Sequence, residues 1–116
     1  MKDCQETDNL LRDVRRIVRN ALEGTSMRGH VARFGSVVGG GKMLRARLIL
    51  RIGPAAAVAP TTLCRAAAAV EMLHAASLLH DDILDGGTLR RGSPALWVTE
   101  GTRTAVILGD LLVSLA

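Results

Sequence analysis

Aromatic residues are almost absent from this 116-residue sequence, which has one Phe, one Trp and no Tyr. Single-stranded nucleic-acid binders usually stack bases on aromatic side chains, and β-sandwiches are rich in aromatic and β-branched residues. The composition therefore argues against both classes. Hydrophobic residues still make up 48% of the sequence, and they are mainly Ala, Leu and Val, which suit close helix packing. We expect a folded, all-α protein.

Cysteines and long apolar runs are also scarce. Cys4 and Cys64 form no C-x-x-C pair, so neither a zinc site nor a disulfide framework is indicated, and the expected location is a reducing cytoplasm. No uninterrupted apolar run reaches the ~18 residues that a membrane span requires. The polar start, 1–8, has no apolar segment of a signal peptide. We expect a soluble chain with no membrane span.

Basic residues outnumber acidic ones, with 15 Lys and Arg against 11 Asp and Glu. Nearly all are arginines, and such a balance suits an anionic partner such as phosphate, diphosphate or nucleic acid. The basic residues are scattered over several segments, and stacking platforms for bases are missing. We therefore expect no nucleic-acid partner.

Hydrophobic spacing predicts helices, with apolar residues recurring every three or four positions. Glycines and prolines break this pattern, and a glycine-rich loop, 35–41, leads into the second helix. No internal repeat or linker divides the chain, so one compact unit is expected. The four predicted helices span 8–22, 42–52, 63–85 and 102–116.

Acidic residues cluster at the end of the third predicted helix. The helical period places His74, Asp81 and Asp85 on one face, whereas Asp82 points to one side. Carboxylates four residues apart near a helix C-terminus repel each other and oppose the helix dipole, so a cation should compensate them.

Two kinds of cation could balance these aspartates. Mg²⁺ takes oxygen ligands from one or two carboxylates and completes its shell with water and phosphate. Arg90 and Arg91, in the loop that follows, would then meet the phosphates. The alternative is that the aspartates only make salt bridges to arginines at the helix end.

Three motifs together resemble the polyprenyl synthetase family of trans-isoprenyl diphosphate synthases over 39–116. They are G-G-K at 40–42, D-D-x-x-D at 81–85 followed by the twin arginine 90–91, and G-D-L-L at 109–112. The resemblance implies the N-terminal part of the isoprenoid synthase helical bundle. It makes 1–116 a partial polyprenyl synthetase domain, because the family's second aspartate-rich motif is absent.

The resemblance also implies a reaction, in which Mg²⁺ helps an allylic diphosphate to ionise and alkylate isopentenyl diphosphate. Asp81 and Asp85 match the magnesium ligands that hold the allylic diphosphate, and Asp82 supports them. Arg90 matches a contact to the same diphosphate. These four residues are the expected catalytic set.

A second group of residues matches the binding site for the diphosphate of isopentenyl diphosphate. Lys42 and Arg45, three positions apart, are expected to share a helix face. The resemblance assigns this site to Gly41, Lys42, Arg45, His74 and Arg91.

The residues before the first aspartate set product length in related enzymes, where a bulky aromatic shortens the product. Ala76 and Ser77 are small, which predicts a geranylgeranyl or longer product. The helical wheel keeps Ser77 on the Asp81 face and turns Ala76 away, so the interpretation of Ala76 rests on the resemblance.

Because the second motif is absent, catalysis is expected to need a missing C-terminal half or a partner chain. Apolar residues of the last predicted helix would then stay uncovered and would bind another chain, so a homo- or hetero-oligomer is expected. These residues are Val106, Ile107, Leu111 and Leu112. Asp110 matches a structural position of the family.

Two other functions are alternatives to a prenyltransferase. One alternative is a noncatalytic partner subunit or interaction protein. A second is an HD-type metal phosphohydrolase using His80-Asp81, for which His30 is the only upstream histidine not already assigned a role.

Overall fold

The computed structural model describes residues 2–28, 37–38 and 41–116. His30, most of the glycine-rich loop and Gly40 of the G-G-K motif lie outside the described residues. The chain forms two compact units, Met1–Glu71 and Met72–Ala116. Almost every described element is a helix, so the predicted helical fold is confirmed.

Helix α1, Lys2–Glu23, opens the first unit. Its buried residues follow the predicted period; they are Leu11, Val14, Val18 and Leu22. The helix starts six residues before the predicted first residue, Asp8. That first stretch is polar and carries no hydrophobic period, but acidic residues there are favoured by the helix dipole. After Glu23, the Gly24 N–H donates to the Asn20 carbonyl.

Helix α2, Leu44–Ile52, follows in the same unit and continues into a short 3₁₀ helix, Gly53–Ala56. It begins after Met43, which is left-handed at φ 49°. Lys42 therefore lies outside the helix, and the prediction that Lys42 and Arg45 share a helix face is wrong. Helical spacing does not apply across the left-handed residue between them.

Helix α3, Pro60–Asp85, runs through both units. Pro60 suits a first turn because its missing N–H would have no helical acceptor there. Small buried residues follow, among them Ala67 and Ala68. Among the described residues, α3 alone has the length and hydropathy that would suffice for a membrane span, but half of that apolar window is buried inside the protein. A core helix meets the same criteria.

A short antiparallel hairpin follows α3 in the second unit. Strands β1, Leu89–Arg90, and β2, Ser93–Pro94, pair Leu89 with Pro94 and Arg90 with Ser93. The turn between them has positive φ at Arg91 (53°) and Gly92 (77°), as a two-residue type I′ turn requires. The sequence predicts only a loop here, because two-residue strands are too short to show a period.

Helices α4, Leu96–Glu100, and α5, Thr102–Leu115, complete the second unit. The prediction found α5 but missed α4, which has a single turn. In α5, Leu112 is fully buried and Leu111 is half-buried, so these two residues were wrongly assigned to the uncovered face. The exposed apolar residues of α5 are Val106, Ile107 and Val113.

Candidate metal and diphosphate site

Asp81 and Asp85 present exposed carboxylates near the C-terminal end of α3. Four residues of an α-helix rise about 6 Å, so the two side chains are one turn apart on the same face. Neither makes a hydrogen bond or ion pair with the described part of the chain. The arginines that follow form no salt bridge with these two carboxylates, although the charge of Asp81 still acts on Arg90.

Asp82 differs from both of its neighbours. Its residue is only 8% exposed, and its carboxylate binds the Arg90 guanidinium at both oxygens. Arg90 Nε donates to Oδ2 at 3.1 Å, and Nη2 donates to Oδ1 at 2.5 Å. This bidentate arrangement is the strong form of an arginine–carboxylate pair. The salt-bridge alternative is thus realised at Asp82, but not at Asp81 or Asp85.

The electrostatics of Arg90 follow from this pairing. The hydrogen bond that Arg90 donates to Asp82 raises the pKa of Arg90 above its ordinary value. The charges of Asp82 and Asp81 add to the shift, whereas partial burial opposes it. The guanidinium is therefore a fixed positive charge at the acidic helix end. Because its side chain remains 41% exposed, Arg90 can still face an anion.

Gly87 links the helix end to the hairpin. Its N–H donates to the Asp82 carbonyl at 2.9 Å, and its carbonyl accepts the Trp97 indole N–H at 2.7 Å. A Cβ at Gly87 would lie 3.3 Å from Asp82 Oδ1, which is a tight contact. Glycine at this position therefore allows Asp82 to bind Arg90 close to the backbone. The role of Trp97 could not be predicted, because no period or motif in the sequence indicates it.

The other predicted residues of the second unit lie on α3 and the hairpin. His74 is half-buried and Arg91 is exposed in the positive-φ turn. Ser77 is exposed, and its hydroxyl donates to the His74 carbonyl at 2.7 Å. Ala76 is 1% exposed, so the two residues predicted to set product length have opposite orientations, as the helical wheel indicated.

The predicted residues Gly41, Lys42 and Arg45 belong to the first unit, with Lys42 and Arg45 exposed. Contacts to the backbone hold this segment. Arg47 Nε donates to the Lys42 carbonyl at 2.8 Å, and Arg47 also pairs with Asp8 at 3.3 Å. No motif singled out Arg47, because it looks like one more surface arginine in the sequence.

His80 is explained by its packing against α5. A Cβ on Gly109 would lie 2.3 Å from His80 Nε2, so only glycine leaves room for the imidazole. The same nitrogen lies 3.4 Å from Asp110 Oδ1 and 3.4 Å from the Val106 carbonyl. Gly109 and Asp110 of the G-D-L-L motif thus contact His80, and the sequence pattern does not indicate this contact.

The donor set at the helix end fits Mg²⁺ better than zinc. Within the described ranges, no group of three or more His, Cys, Asp or Glu residues could hold a metal ion. Zinc usually requires three or four protein ligands. Magnesium accepts one or two carboxylates and takes its remaining ligands from water and phosphate. Asp81 and Asp85 offer that set.

Fold and site together define a mainly helical protein in which an aspartate-rich helix end leads into an arginine-bearing hairpin. The polyprenyl synthetase family model matches residues 32–116. The chain belongs to the polyprenyl synthetase family. This membership argues against the alternative of an HD-type phosphohydrolase.

Curated relatives support the same family. A short chain isoprenyl diphosphate synthase of Methanothermobacter thermautotrophicus is 41% identical over 80 residues, covering 69% of this chain and 25% of the relative. A farnesyl diphosphate synthase of Escherichia coli is 44% identical over 85 residues, covering 72% and 28%. A geranylgeranyl diphosphate synthase of Mycobacterium tuberculosis is 40% identical over 72 residues, covering 62% and 21%. The chain spans about a quarter of the length of these relatives.

The fold also matches a solved structure. The crystal structure of an FPP/GFPP synthase from Zymomonas mobilis aligns with a TM-score of 0.78 at 27% sequence identity. The alignment covers 98% of this chain and 43% of that one. The helical architecture predicted from the sequence is therefore the isoprenyl synthase fold.

Proposed function

We propose that the chain supplies the first aspartate-rich part of a Mg²⁺-dependent prenyltransferase of isoprenoid biosynthesis, which condenses an allylic diphosphate with isopentenyl diphosphate. The observation that carries this proposal is the exposed pair Asp81 and Asp85. These carboxylates form no salt bridge with the described residues, although their neighbour Asp82 forms one. A free acidic pair at a helix C-terminus is electrostatically unfavourable unless a cation binds it.

The allylic diphosphate is assigned to this acidic end. Bound Mg²⁺ would neutralise the diphosphate and make it a better leaving group. Asp81 and Asp85 would hold the ion, and Arg90, fixed by Asp82, would contribute a preorganised positive charge. Such charges stabilise a developing anion well because they need no reorganisation during the reaction.

The diphosphate of isopentenyl diphosphate is assigned to a second group of donors. Lys42 and Arg45 are exposed and would both bind this diphosphate. The Lys42 ammonium would act as a compact charge, and the planar Arg45 guanidinium would donate several hydrogen bonds. Arg91 and His74 complete the proposed set, and Gly41 would let the backbone approach. Both substrates would then be recognised by their diphosphate groups. Apolar helix faces would exclude water from the carbocation that forms when the allylic diphosphate ionises.

The proposed product is geranylgeranyl or longer. Curated relatives include a farnesyl and a geranylgeranyl synthase by name, so membership in the family leaves the length open. Ser77 is small and exposed on the Asp81 face, where it would leave room for a growing chain. Ser77→Phe should shorten the product, and unchanged product length would contradict this assignment. Ala76→Phe is a weaker test because Ala76 is buried.

A homo- or hetero-oligomer is part of the proposal, and a C-terminal half or partner chain would complete the site. Val106, Ile107 and Val113 expose 37%, 50% and 51% of their surface on α5. Exposed apolar residues on one element favour association. Size-exclusion chromatography with light scattering should give a mass above that of one chain, and a monomer at every concentration would contradict it. A cytoplasmic location stays a prediction.

Turnover tests the proposal directly. The chain is incubated with Mg²⁺, a labelled allylic diphosphate and isopentenyl diphosphate, with and without a complementary C-terminal synthase chain. We expect Mg²⁺-dependent elongation when both chains are present. Elongation that resists chelation would contradict the metal role. If the folded pair binds neither substrate, the alternative of a noncatalytic subunit or interaction protein is favoured.

A further inference from the structure

The N-terminus of α2 has no local cap. Its N-cap residue is Met43, which makes no side-chain hydrogen bond to the helix, and the first turn contains no acidic residue. The first backbone N–H groups of a helix have no acceptor within the helix itself. With nine residues, α2 is also too short to be stable by propensity alone. Its start must therefore be held by another part of the chain.

Glu71 provides the missing acceptor from α3. The Ala46 N–H donates to Glu71 Oε1 at 3.0 Å, across 25 positions of sequence. Ala46 is the third residue of α2, where an N-cap side chain would normally bind. A carboxylate at this position also interacts favourably with the positive end of the helix dipole. Glu71 therefore caps α2 in place of a neighbouring residue.

Burial distinguishes this hydrogen bond from one at the protein surface. Glu71 is 6% exposed and lies among apolar α3 residues such as Ala68. An apolar side chain would pack there without the desolvation cost of a carboxylate. Because such a cost needs a compensating interaction, the Ala46 N–H and the helix terminus explain why an acid occupies this position.

The capped turn also carries Arg45. Ala46 is buried, whereas Arg45, the residue before it, is exposed. Fixing the Ala46 backbone therefore fixes the direction in which the Arg45 side chain leaves the helix. A guanidinium that binds a diphosphate through several N–H groups is sensitive to such orientation.

We infer that Glu71 is a positioning residue for diphosphate binding, acting through the N-terminus of α2 on Arg45. The inference rests on the proposed function, since it takes the role of Arg45 from there. Glu71 itself touches no substrate. Its removal should weaken binding of isopentenyl diphosphate while leaving Mg²⁺-dependent binding of the allylic diphosphate unchanged.

A double-mutant cycle tests this inference by calorimetry with isopentenyl diphosphate, using the chain together with the complementary C-terminal chain. Glu71→Ala should weaken binding about tenfold, as expected for the loss of a hydrogen bond to a charged group. Arg45→Ala should weaken it by at least as much. If Glu71 acts through Arg45, the double variant binds no more weakly than Arg45→Ala. Glu71→Gln keeps an acceptor oxygen and should recover most of the affinity.

Two controls separate positioning from loss of the fold. Met72→Ala removes the buried side chain next to Glu71 without removing an acceptor, and it should leave isopentenyl diphosphate binding within about twofold. Hydrogen exchange at the Ala46 amide should be faster in Glu71→Ala than in Met72→Ala. This second readout does not depend on activity or on any ligand.

The outcomes distinguish the inference from the function on which it rests. If Arg45→Ala leaves binding unchanged, the proposed diphosphate role of Arg45 fails, and the positioning role fails with it. If Arg45→Ala weakens binding but Glu71→Ala does not, only the inference is overturned. Additive losses in the double variant, or unchanged exchange at Ala46, would overturn it as well.

Discussion

The Arg90 guanidinium of the second unit is bound at both oxygens of Asp82, whereas Lys42 and Arg45 of the first unit have exposed side chains. Around Lys42 and Arg45 the backbone is held instead, by Arg47 at the Lys42 carbonyl and by Glu71 at the Ala46 N–H. One unit thus fixes the charged group itself, and the other fixes only the chain that carries it. Substitutions should therefore affect stability and binding differently in the two units.

The same contrast exists within the acidic motif. Asp82 is buried and paired, but Asp81 and Asp85 are exposed and form no salt bridge in the part of the chain that the structure describes. Removal of one partner from a buried ion pair destabilises the folded state, whereas exposed acids near a helix C-terminus contribute little to stability or oppose it. Adjacent aspartates should consequently have separable roles.

The largest expected effect comes from Asp81→Asn and Asp85→Asn. Each should weaken Mg²⁺-dependent binding of a prenyl diphosphate about 100-fold, or ~2.7 kcal/mol, because a metal ligand is lost. Stability should be unchanged or slightly higher, since an anion is removed from a helix C-terminus. Calorimetry and urea denaturation measure the two quantities.

Glu23→Gln is the matched control for these variants, because Glu23 is an exposed acid at the end of α1. It should leave binding unchanged. If Asp85→Asn bound prenyl diphosphates as the unaltered chain does, the division of roles within the motif would be wrong.

Asp82→Asn should affect both quantities. It removes the charge that holds Arg90, so we expect a loss of about 2 kcal/mol in the free energy of unfolding and about a tenfold loss of binding. The double variant with Arg90→Gln should be less destabilised than the sum of the single variants, because the two groups form one pair. Additive losses in urea denaturation would show that the pair contributes no coupling.

Close glycine contacts offer a comparison between the cores of the two units. A Cβ on Gly53 would lie 2.2 Å from Leu63 Cδ2 in the first unit, as one on Gly109 would lie 2.3 Å from His80 Nε2 in the second. Leu63 is buried at 6% exposure and cannot move out, whereas the His80 side chain is 35% exposed. We expect Gly53→Ala to cost about 2–3 kcal/mol and Gly109→Ala about 1–2 kcal/mol.

Gly24→Ala is the control for both glycine variants, because its Cβ would meet ordinary contacts at 3.5 Å and 3.6 Å. Thermal unfolding should show little change for it. A larger loss for Gly109→Ala than for Gly53→Ala would mean that His80 is held more rigidly than its exposure indicates.

The smallest effect concerns pH and the first unit. Burial raises the pKa of Cys64, the Asp13 charge adds to the shift, and the Arg16 charge opposes it. The folded state therefore keeps the neutral thiol when the unfolded thiol ionises, so stability is present at low pH and falls as pH rises above the unfolded value. Urea denaturation should show a small loss of stability once the pH exceeds the ordinary pKa of a thiol, about 8.5. Cys64→Ala should abolish that part of the slope, and an unchanged slope would contradict the assignment.

Much of the fold was predictable because helices leave a local period in the sequence. The buried residues of α1 followed from spacing, and the glycines after Asp85 located the end of α3, although α3 begins at Pro60 and not at Leu63. The motif located Asp81 and Asp85. The start of α1 was missed because its first residues are polar. The hairpin and α4 were missed because each is shorter than the period that would reveal it.

The contacts that organise the candidate site were not predictable, because they join residues far apart in sequence. Glu71 and Ala46 are 25 positions apart, and the His80 ring lies where a Gly109 side chain would be. Helical spacing also failed at Met43, whose left-handed backbone removes Lys42 from α2. The sequence pattern locates the charged residues, but only the three-dimensional contacts show which of these residues are already paired.

Titration calorimetry of a prenyl diphosphate with and without Mg²⁺ tests the central claim most directly, using the folded chain with the complementary C-terminal chain. The account predicts binding that requires Mg²⁺ and that is lost in the combined Asp81→Asn and Asp85→Asn variant. Binding of equal strength in chelator, or no binding by a folded sample, would contradict it.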